Sequence, residues 1–209
     1  MSKVDIIVCH PYEIRYPVWE KMIRANMDYY NKLFVVFTKG NFTGKDYSGE
    51  VGLALLSPQV VFLDMPAVGE GFPNSDWRHT AVRYALAQSE ADYILFLEQD
   101  LLIPSLKVVQ DFKGDVLGIK EGDRIHPAFL LVKRELINKT DRDFAAYPDK
   151  EMDHFDKFIA QLPIPEILPK SEYYHMAGFT HNEALVAQGK EPNYRPDEYK
   201  LFKMMERII

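Results

Sequence analysis

In the stretch 93-YILFLEQDLL-102, an apolar run is followed at once by Glu98, Gln99 and Asp100. An apolar run without alternation is typical of a strand that is covered on both faces. Alternate side chains of an extended chain point the same way, so Glu98 and Asp100 can reach a common point. The stretch therefore predicts a central strand of an α/β sheet that ends on two carboxylates.

Other β-rich runs alternate with runs of helical spacing along the chain. The predicted strands are residues 4–9, 33–37, 60–64, 93–97, 116–119 and 129–132, and 163–169 is predicted to be extended. The predicted helices are 15–31, a helix that begins after 73–75 and reaches 88, 152–161, 182–189 and 197–208. We expect the first strand to end at His10 and Pro11, because a proline cannot serve a central ladder. This alternation predicts an α/β layer fold.

Composition limits the class of protein. The chain has 209 residues, 47% of them hydrophobic, which suits one core better than two. A formal net charge of −6 does not favour general nucleic-acid binding. The single cysteine, Cys9, excludes an internal disulfide, and the N-terminal run 1–13 lacks secretory architecture. We therefore expect a cytoplasmic protein without a transmembrane segment, and no obligate protein partner is evident.

Two carboxylates at a strand end make a hard oxygen site, which suits Mn²⁺ or Mg²⁺ with phosphate oxygens as further ligands. Taken alone, Glu98 and Asp100 would be read as solvated strand-end acids. The residues before them change this reading. In order they are VVFLD (60–64), GEGFPNSD (69–76), WRHTAVRYALA (77–87) and YILFLEQD (93–100).

This order resembles the nucleotide-sugar half of a GT-A glycosyltransferase, particularly of glycosyltransferase family 2. The family pattern is a strand, a Gly-containing loop, an Ala-Arg-Asn helix and a strand that ends in Asp-x-Asp. Arg78 stands where the family has its helix arginine, and His79 replaces the asparagine. Glu98 replaces the first aspartate, so Asp100 is the safer metal ligand. The resemblance implies a single GT-A-type (Rossmann-like) domain over 1–209, with a mixed, mostly parallel central sheet flanked by helices.

The resemblance also implies how the domain is divided and which residues hold the donor. Residues 1–102 would form the nucleotide-sugar-binding half and 103–209 the acceptor-binding half. Tyr12 could instead be a packed surface tyrosine, and Asp64 a cap. The donor-binding residues it implies are His10, Pro11, Tyr12, Asp64, Arg78, Glu98 and Gln99.

The second half is expected to hold the base and a site histidine. In 149-DKEMDHFDKFIAQL-162, Asp153 resembles the general base of the family's inverting enzymes, with Glu151 and Asp156 as rivals. Asp153 could equally stabilise a helix N-terminus. In 173-YYHMAGFTHNEAL-185, His175 is preferred over His181 as the histidine that completes the metal site.

The resulting prediction is a Mn²⁺- or Mg²⁺-dependent glycosyltransferase that uses a nucleoside-diphosphate sugar, with a UDP-sugar favoured, and inverts the anomeric centre. Its acceptor would be a saccharide, a lipid-linked saccharide or a modified nucleobase. A nucleotidyltransferase of related fold is an alternative, although 9-CHPYEIRYP-17 lacks the expected Gly-rich loop. A non-catalytic nucleotide-binding protein is another. A viral-type glycosyltransferase that acts on hydroxymethylated DNA bases is a further alternative, although the acidic composition does not favour DNA binding.

Overall fold

The computed structural model describes residues 2–11, 13–38, 45–64, 86–140, 158–176, 182, 185–186 and 188–193. The strands of these ranges are β1 Val4–Pro11, β2 Lys32–Thr38, β3 Val60–Asp64, β4 Tyr93–Leu97, β5 Leu101–Leu102, β6 Val116–Glu121, β7 Arg124–Lys133, β8 Glu166–Ile167 and β9 Tyr174–His175. The helices are α1 Pro17–Ala25, α2 Ser48–Ala54, α3 Lys107–Asp111 and α4 Arg134–Ile137, with 3-10 turns at Met27–Tyr29 and Lys170–Glu172.

Seven of these strands form one sheet in the order β3-β2-β1-β4-β7-β6-β8. All neighbours are parallel except the pairs that β7 makes with β4 and β6. The predicted mixed, mostly parallel α/β sheet is therefore confirmed. The remaining strands, β5 and β9, pair antiparallel as a separate two-stranded ribbon.

The central strands are buried on both faces, as their continuous apolar sequences predict. In β4, Leu95 belongs to one core cluster and Ile94 to the other, and the whole strand is buried. Helix α1 covers the first face with Trp19 and Met22. Leu86 and Phe158, in helical segments at 86–88 and 158–160, pack on the second face. The sheet thus lies between two helical layers.

Strand β1 continues two residues beyond the predicted end at Cys9 and includes His10 and Pro11. Pro11 pairs only with Thr38 of β2, because the pairing of β1 with β4 stops at Ile7. Beyond Ile7, β1 pairs with β2 but no longer with β4. A proline is tolerated at such a position, because its missing N–H is not needed for pairing with a second strand. The strand therefore ends at the proline, as expected, and the predicted bounds of 4–9 were two residues too short.

Helix α1 is shorter than the predicted 15–31. It ends at Ala25, and Asn26 has non-helical backbone angles of φ −109° and ψ 15° before a 3-10 turn. The Asn26 side chain is buried and donates to the carbonyl of Met22, while its oxygen accepts from the Leu106 N–H at 2.7 Å. These bonds explain a polar residue on the buried face of the helix.

Strands β6 and β7 form a hairpin whose turn is Gly122-Asp123. Gly122 has a φ of 61° and leads a two-residue turn between paired Glu121 and Arg124, as type II′ turns require. Both strands extend beyond the predicted 116–119 and 129–132, up to this turn. The hairpin therefore carries Glu121 past the end of β4.

Several predicted elements fall wholly or partly outside the described residues. They are the helix at 197–208, most of the helices predicted to reach 88 and to span 152–161, and part of the helix predicted at 182–189. The predicted extended stretch 163–169 contains β8. Among the helices that are described, none is long and apolar enough to cross a bilayer.

Candidate metal and nucleotide site

The turn Glu98–Asp100 lies directly after β4, at the edge of the sheet where the parallel strands have their carboxyl ends. The Glu98 N–H donates to the carbonyl of Ala128 at 2.9 Å, which fixes the turn beside β7. Gln99 is buried, and its side-chain amide donates to the carbonyl of Cys9 in β1. Ligands of open α/β sheets bind at this edge. The turn is therefore anchored on both sides at the expected place for a site.

The β5–β9 ribbon brings His175 to this turn from a distant part of the chain. Leu101 pairs with His175, and the Met176 N–H donates to the carbonyl of Asp100 at 2.8 Å. As a result, Nε2 of His175 lies 3.8 Å from Oδ1 of Asp100. The two side chains are only 2% and 12% exposed, respectively, so their interaction is screened little by water.

Glu98, Asp100 and His175 each offer one ligand atom, and these three atoms lie within 4.8 Å of one another. Two carboxylate oxygens and an imidazole nitrogen form a donor set that suits Mn²⁺, and Mg²⁺ where the oxygens dominate. The residues present therefore fit the predicted divalent cation. This geometry groups three of the residues that the sequence analysis selected.

Two further residues, Glu121 and His126, join the same cluster through His175. Oε1 of Glu121 lies 2.6 Å from Nδ1 of His175, and the rings of His126 and His175 have centroids 4.5 Å apart. Glu121, His126 and His175 form a second group whose ligand atoms lie within 4.8 Å of one another. The sequence analysis predicted a role for neither Glu121 nor His126. Gly122-Asp123 between two β-rich runs is a hairpin signal that places an acid, Glu121, at this edge of the sheet.

The electrostatics of the cluster follow from burial and proximity. Burial alone would raise the pKa of Glu121, but the hydrogen bond from His175 and the charges of His175, His126 and Lys170 together lower it. Burial lowers the pKa of His126, and the neighbouring charge of His175 lowers it further. Glu121 is thus held in its ionised, hydrogen-bond-accepting form, and His126 in its neutral form.

His10 occupies a different environment from the one predicted. Its ring is completely buried and packs among Tyr16, Trp19 and Phe37, with ring centroids 5.3 to 6.0 Å away. This packing favours a structural role, and the predicted contact with a donor stays a prediction. The backbones of Pro11 and Asp64 end their strands as expected.

The remaining predicted residues lie outside the described part of the chain. They are Tyr12, Arg78, Asp153 with its rivals Glu151 and Asp156, and His181. Their predicted roles stay predictions.

No protein-family model matches the chain, and no curated protein sequence matches it significantly. Solved structures do match the chain. The structure of HddC from Yersinia pseudotuberculosis aligns over 100% of both chains, with 11% identity and a TM-score of 0.56. Glucosyl-3-phosphoglycerate synthase from Mycobacterium tuberculosis, solved with Mn²⁺ and UDP, aligns over 92% of this chain and 81% of its own, with 12% identity and a TM-score of 0.50.

The glycosyltransferase GlyE from Streptococcus pneumoniae is also similar, with 14% identity over 80% of this chain and a TM-score of 0.45. The chain spans only 45% of the length of GlyE. At 11–12% identity, the likenesses with a TM-score of 0.50 or more concern the fold alone. The chain therefore has the GT-A-type α/β fold that its sequence predicts.

Proposed function

We propose that the protein is a metal-dependent glycosyltransferase that moves a sugar from a nucleoside-diphosphate sugar to a hydroxyl acceptor. One observation carries the proposal: Glu98, Asp100 and His175 offer ligand atoms within 4.8 Å of one another at the carboxyl end of β4. In a GT-A-type fold this edge is where a nucleotide sugar would bind. The resemblance over 60–102 supports the same reading from the sequence.

Within this proposal, Asp100 and His175 would hold a Mn²⁺ or Mg²⁺ ion, and Glu98 would assist directly or through water. Such an ion supplies charge neutralisation for a leaving nucleoside diphosphate. Arg78 would donate charge-assisted hydrogen bonds to the same phosphates. His10, Pro11, Tyr12, Asp64 and Gln99 complete the proposed donor site.

The proposed transfer is a single displacement. The acceptor hydroxyl oxygen forms a bond to the anomeric carbon while the bond from that carbon to the diphosphate oxygen breaks. The nucleoside diphosphate leaves with the electron pair of the broken bond, and the hydroxyl proton passes to Asp153 as general base. Attack opposite the leaving group inverts the anomeric centre. The resemblance implies both this stereochemistry and the role of Asp153.

The identity of the nucleotide is the first quantity to measure. Thermal unfolding is followed with UDP, GDP, TDP and CDP, each with and without Mn²⁺. We expect stabilisation that requires both nucleotide and metal, because a ligand that binds only the folded state raises its unfolding temperature. UDP is placed first because the M. tuberculosis synthase of similar fold holds Mn²⁺ and UDP. If no nucleotide gives a metal-dependent shift in unfolding temperature, the proposed donor site is wrong.

The released product then distinguishes the reaction classes. A glycosyltransferase releases a nucleoside diphosphate from its donor, whereas a nucleotidyltransferase releases pyrophosphate from a nucleoside triphosphate. We expect nucleoside diphosphate with saccharide, lipid-linked or hydroxymethylated-base acceptors offered in turn. Pyrophosphate release would assign the nucleotidyltransferase reaction instead, and nucleotide binding without either product would indicate a non-catalytic protein.

A further inference from the structure

His175 lies between two carboxylates, one on each ring nitrogen. Oε1 of Glu121 is 2.6 Å from Nδ1, and Oδ1 of Asp100 is 3.8 Å from Nε2. The first distance is that of a short, charge-assisted hydrogen bond, whereas the second is too long for a hydrogen bond. The two nitrogens therefore have different roles.

The short contact determines which nitrogen of His175 carries a hydrogen. An ionised carboxylate can only accept, so the hydrogen between Glu121 and His175 belongs to Nδ1. In the neutral ring, Nε2 then has a lone pair, and this atom faces Asp100. Metal-binding histidines commonly donate their other N–H to a carboxylate, which fixes the tautomer and the ring orientation.

The hairpin and its neighbours hold Glu121 in place. Glu121 ends β6 beside the Gly122 turn, and its Oε1 lies 3.7 Å from Nζ of Lys170. Lys170 is itself placed over the ring of Tyr173, 4.4 Å from the ring centroid. Oε1 of Glu121 therefore has both the Lys170 ammonium and the His175 ring beside it.

His126 packs against the ring of His175 without competing for the same hydrogen bond. Its Nδ1 accepts from the Ala128 N–H at 3.2 Å, and its ring is inclined at 56° to that of His175. The positive charge of Lys170 beside Glu121 also opposes a cation bound between Glu121, His126 and His175. The arrangement thus favours a cation on the Asp100 side of His175.

We propose that Glu121 is a positioning residue that holds His175 as the Nδ1–H tautomer, with the Nε2 lone pair directed at the Asp100 side of the site. This proposal rests on the proposed function, because it names a residue that prepares the same metal site. Glu121 would act through His175 and would not itself bind the metal.

Metal affinity provides the first test. Mn²⁺ binding is measured by calorimetry for wild type, Glu121→Ala, Glu121→Gln and Asp123→Ala. Loss of a carboxylate that hydrogen-bonds to a metal-binding histidine weakens metal binding by roughly 10–100-fold. We expect a loss of this size for Glu121→Ala. Glu121→Gln should recover part of the affinity, since its amide oxygen can still accept from Nδ1. Asp123→Ala removes an exposed acid from the same turn and should bind as wild type does.

The tautomer of His175 provides a second test that needs no metal and no activity. Long-range ¹H–¹⁵N spectra of the metal-free protein, assigned with a His175→Gln variant, distinguish protonated from unprotonated ring nitrogens. We expect a hydrogen on Nδ1 in wild type and loss of this preference in Glu121→Ala. Unchanged spectra and unchanged Mn²⁺ affinity in Glu121→Ala would overturn the positioning role.

These outcomes separate the two proposals. If wild type binds no Mn²⁺, the proposed function loses its metal site, and the spectra alone decide the role of Glu121. The variant His126→Phe keeps an aromatic ring but removes the nitrogens, and we expect it to retain Mn²⁺ affinity. A loss as large as that of Glu121→Ala would place the cation in the group of Glu121, His126 and His175, and positioning would be wrong.

Discussion

At the scale of single residues, the two acids of the turn after β4 differ in environment. Asp100 is buried, its carbonyl is bonded to the Met176 N–H, and its carboxylate faces His175. Glu98 is half-buried and longer by one methylene, so its carboxylate is held less firmly. This difference supports the sequence-based preference for Asp100 as the principal ligand.

Replacing Asp100 by Asn should abolish the metal-dependent stabilisation by nucleotide. The neutral amide keeps the shape of the side chain but removes the charge that balances a divalent cation. We expect the loss of Mn²⁺ affinity to exceed the roughly 10–100-fold typical of outer-shell partners. Calorimetry and thermal shift with UDP measure it, and full activity in the variant would remove the metal role of Asp100.

The control for this change is Asp111→Asn, which also replaces an acid by its amide. Asp111 is exposed and pairs with Lys107 at 3.4 Å, an interaction on the surface of α3. Exposed pairs of this kind contribute about 0–1 kcal/mol. Metal and nucleotide binding should therefore be unchanged in the control.

Another buried acid, Asp5, lies at the opposite end of β1 and has a structural role. Its Oδ1 accepts from Nδ2 of Asn31 and from the Lys32 N–H at 2.9 and 3.0 Å. Its Oδ2 accepts from Oγ of Ser89 at 2.6 Å, just before β4. Asp5 thereby ties the start of β1 to the start of β2 and to the segment that precedes β4.

Asp5→Ala should destabilise the protein by about 3 kcal/mol, because the buried Ser89 hydroxyl and two part-buried N–H groups lose a charged acceptor. Asp5→Asn keeps one acceptor oxygen and should lose less. Asp28→Ala, at an exposed position in the 3-10 turn, should stay within about 0.5 kcal/mol of wild type. Urea unfolding at neutral pH measures all three, and equal stability of Asp5→Ala and Asp28→Ala would contradict the role given to Asp5.

At the scale of secondary-structure elements, the apolar runs and their alternation with helical runs predicted the central strands well. They did not predict the β5–β9 ribbon. Strands β5 and β9 have two residues each, which is too short for any periodic signal. Their pairing, set by tertiary contacts, is what brings His175 to Asp100. The choice of His175 over His181 therefore could not be settled from spacing alone.

The β6–β7 hairpin is the element that connects the turn after β4 with Glu121. Gly122 has a φ of 61°, where an L side chain is strained, although no atom lies within 4 Å of the point that a Cβ would occupy. The strain is therefore in the backbone and not in packing. A side chain at this position would change the geometry of the turn beside Glu121.

Gly122→Ala should cost about 1–2 kcal/mol of stability through this strain. Gly52→Ala is the matched control, because Gly52 lies inside α2 with open space around its Cβ position. There, alanine is favoured over glycine by roughly 0.5–1 kcal/mol, so the same substitution should stabilise. Chemical denaturation gives both values, and effects of the same sign would contradict the assigned turn geometry.

At the scale of the whole molecule, the cluster draws on both predicted halves of the chain. Glu98 and Asp100 belong to 1–102, whereas Glu121 and His175 belong to 103–209. The division into a donor half and an acceptor half stays a prediction, and the residues of the proposed metal site come from both halves. The sequence alone could identify the acids after β4, because they follow a strand directly. It could not show that residues 121, 126 and 175 converge on them.

The stability of the whole fold should depend on pH through Tyr30. Its side chain is 5% exposed, and burial raises its pKa to about 12 from an ordinary value of 10.0. The folded state therefore keeps its proton where the unfolded state loses it. The resulting stabilisation is fully present below about pH 10 and is lost as the pH rises towards 12, by at most about 1.4 kcal/mol per pH unit.

Tyr30→Phe should remove this dependence, because phenylalanine does not titrate. At pH 8 the variant loses only the hydrogen bond from the Tyr30 hydroxyl to the Ile23 carbonyl, 3.4 Å long. Between pH 10 and 12 its free energy of unfolding should fall less steeply than that of wild type. Urea titrations across this range measure both slopes, and the other titrating groups are common to the two proteins. Equal slopes would show that the Tyr30 hydroxyl ionises as readily in the folded state as in the unfolded one.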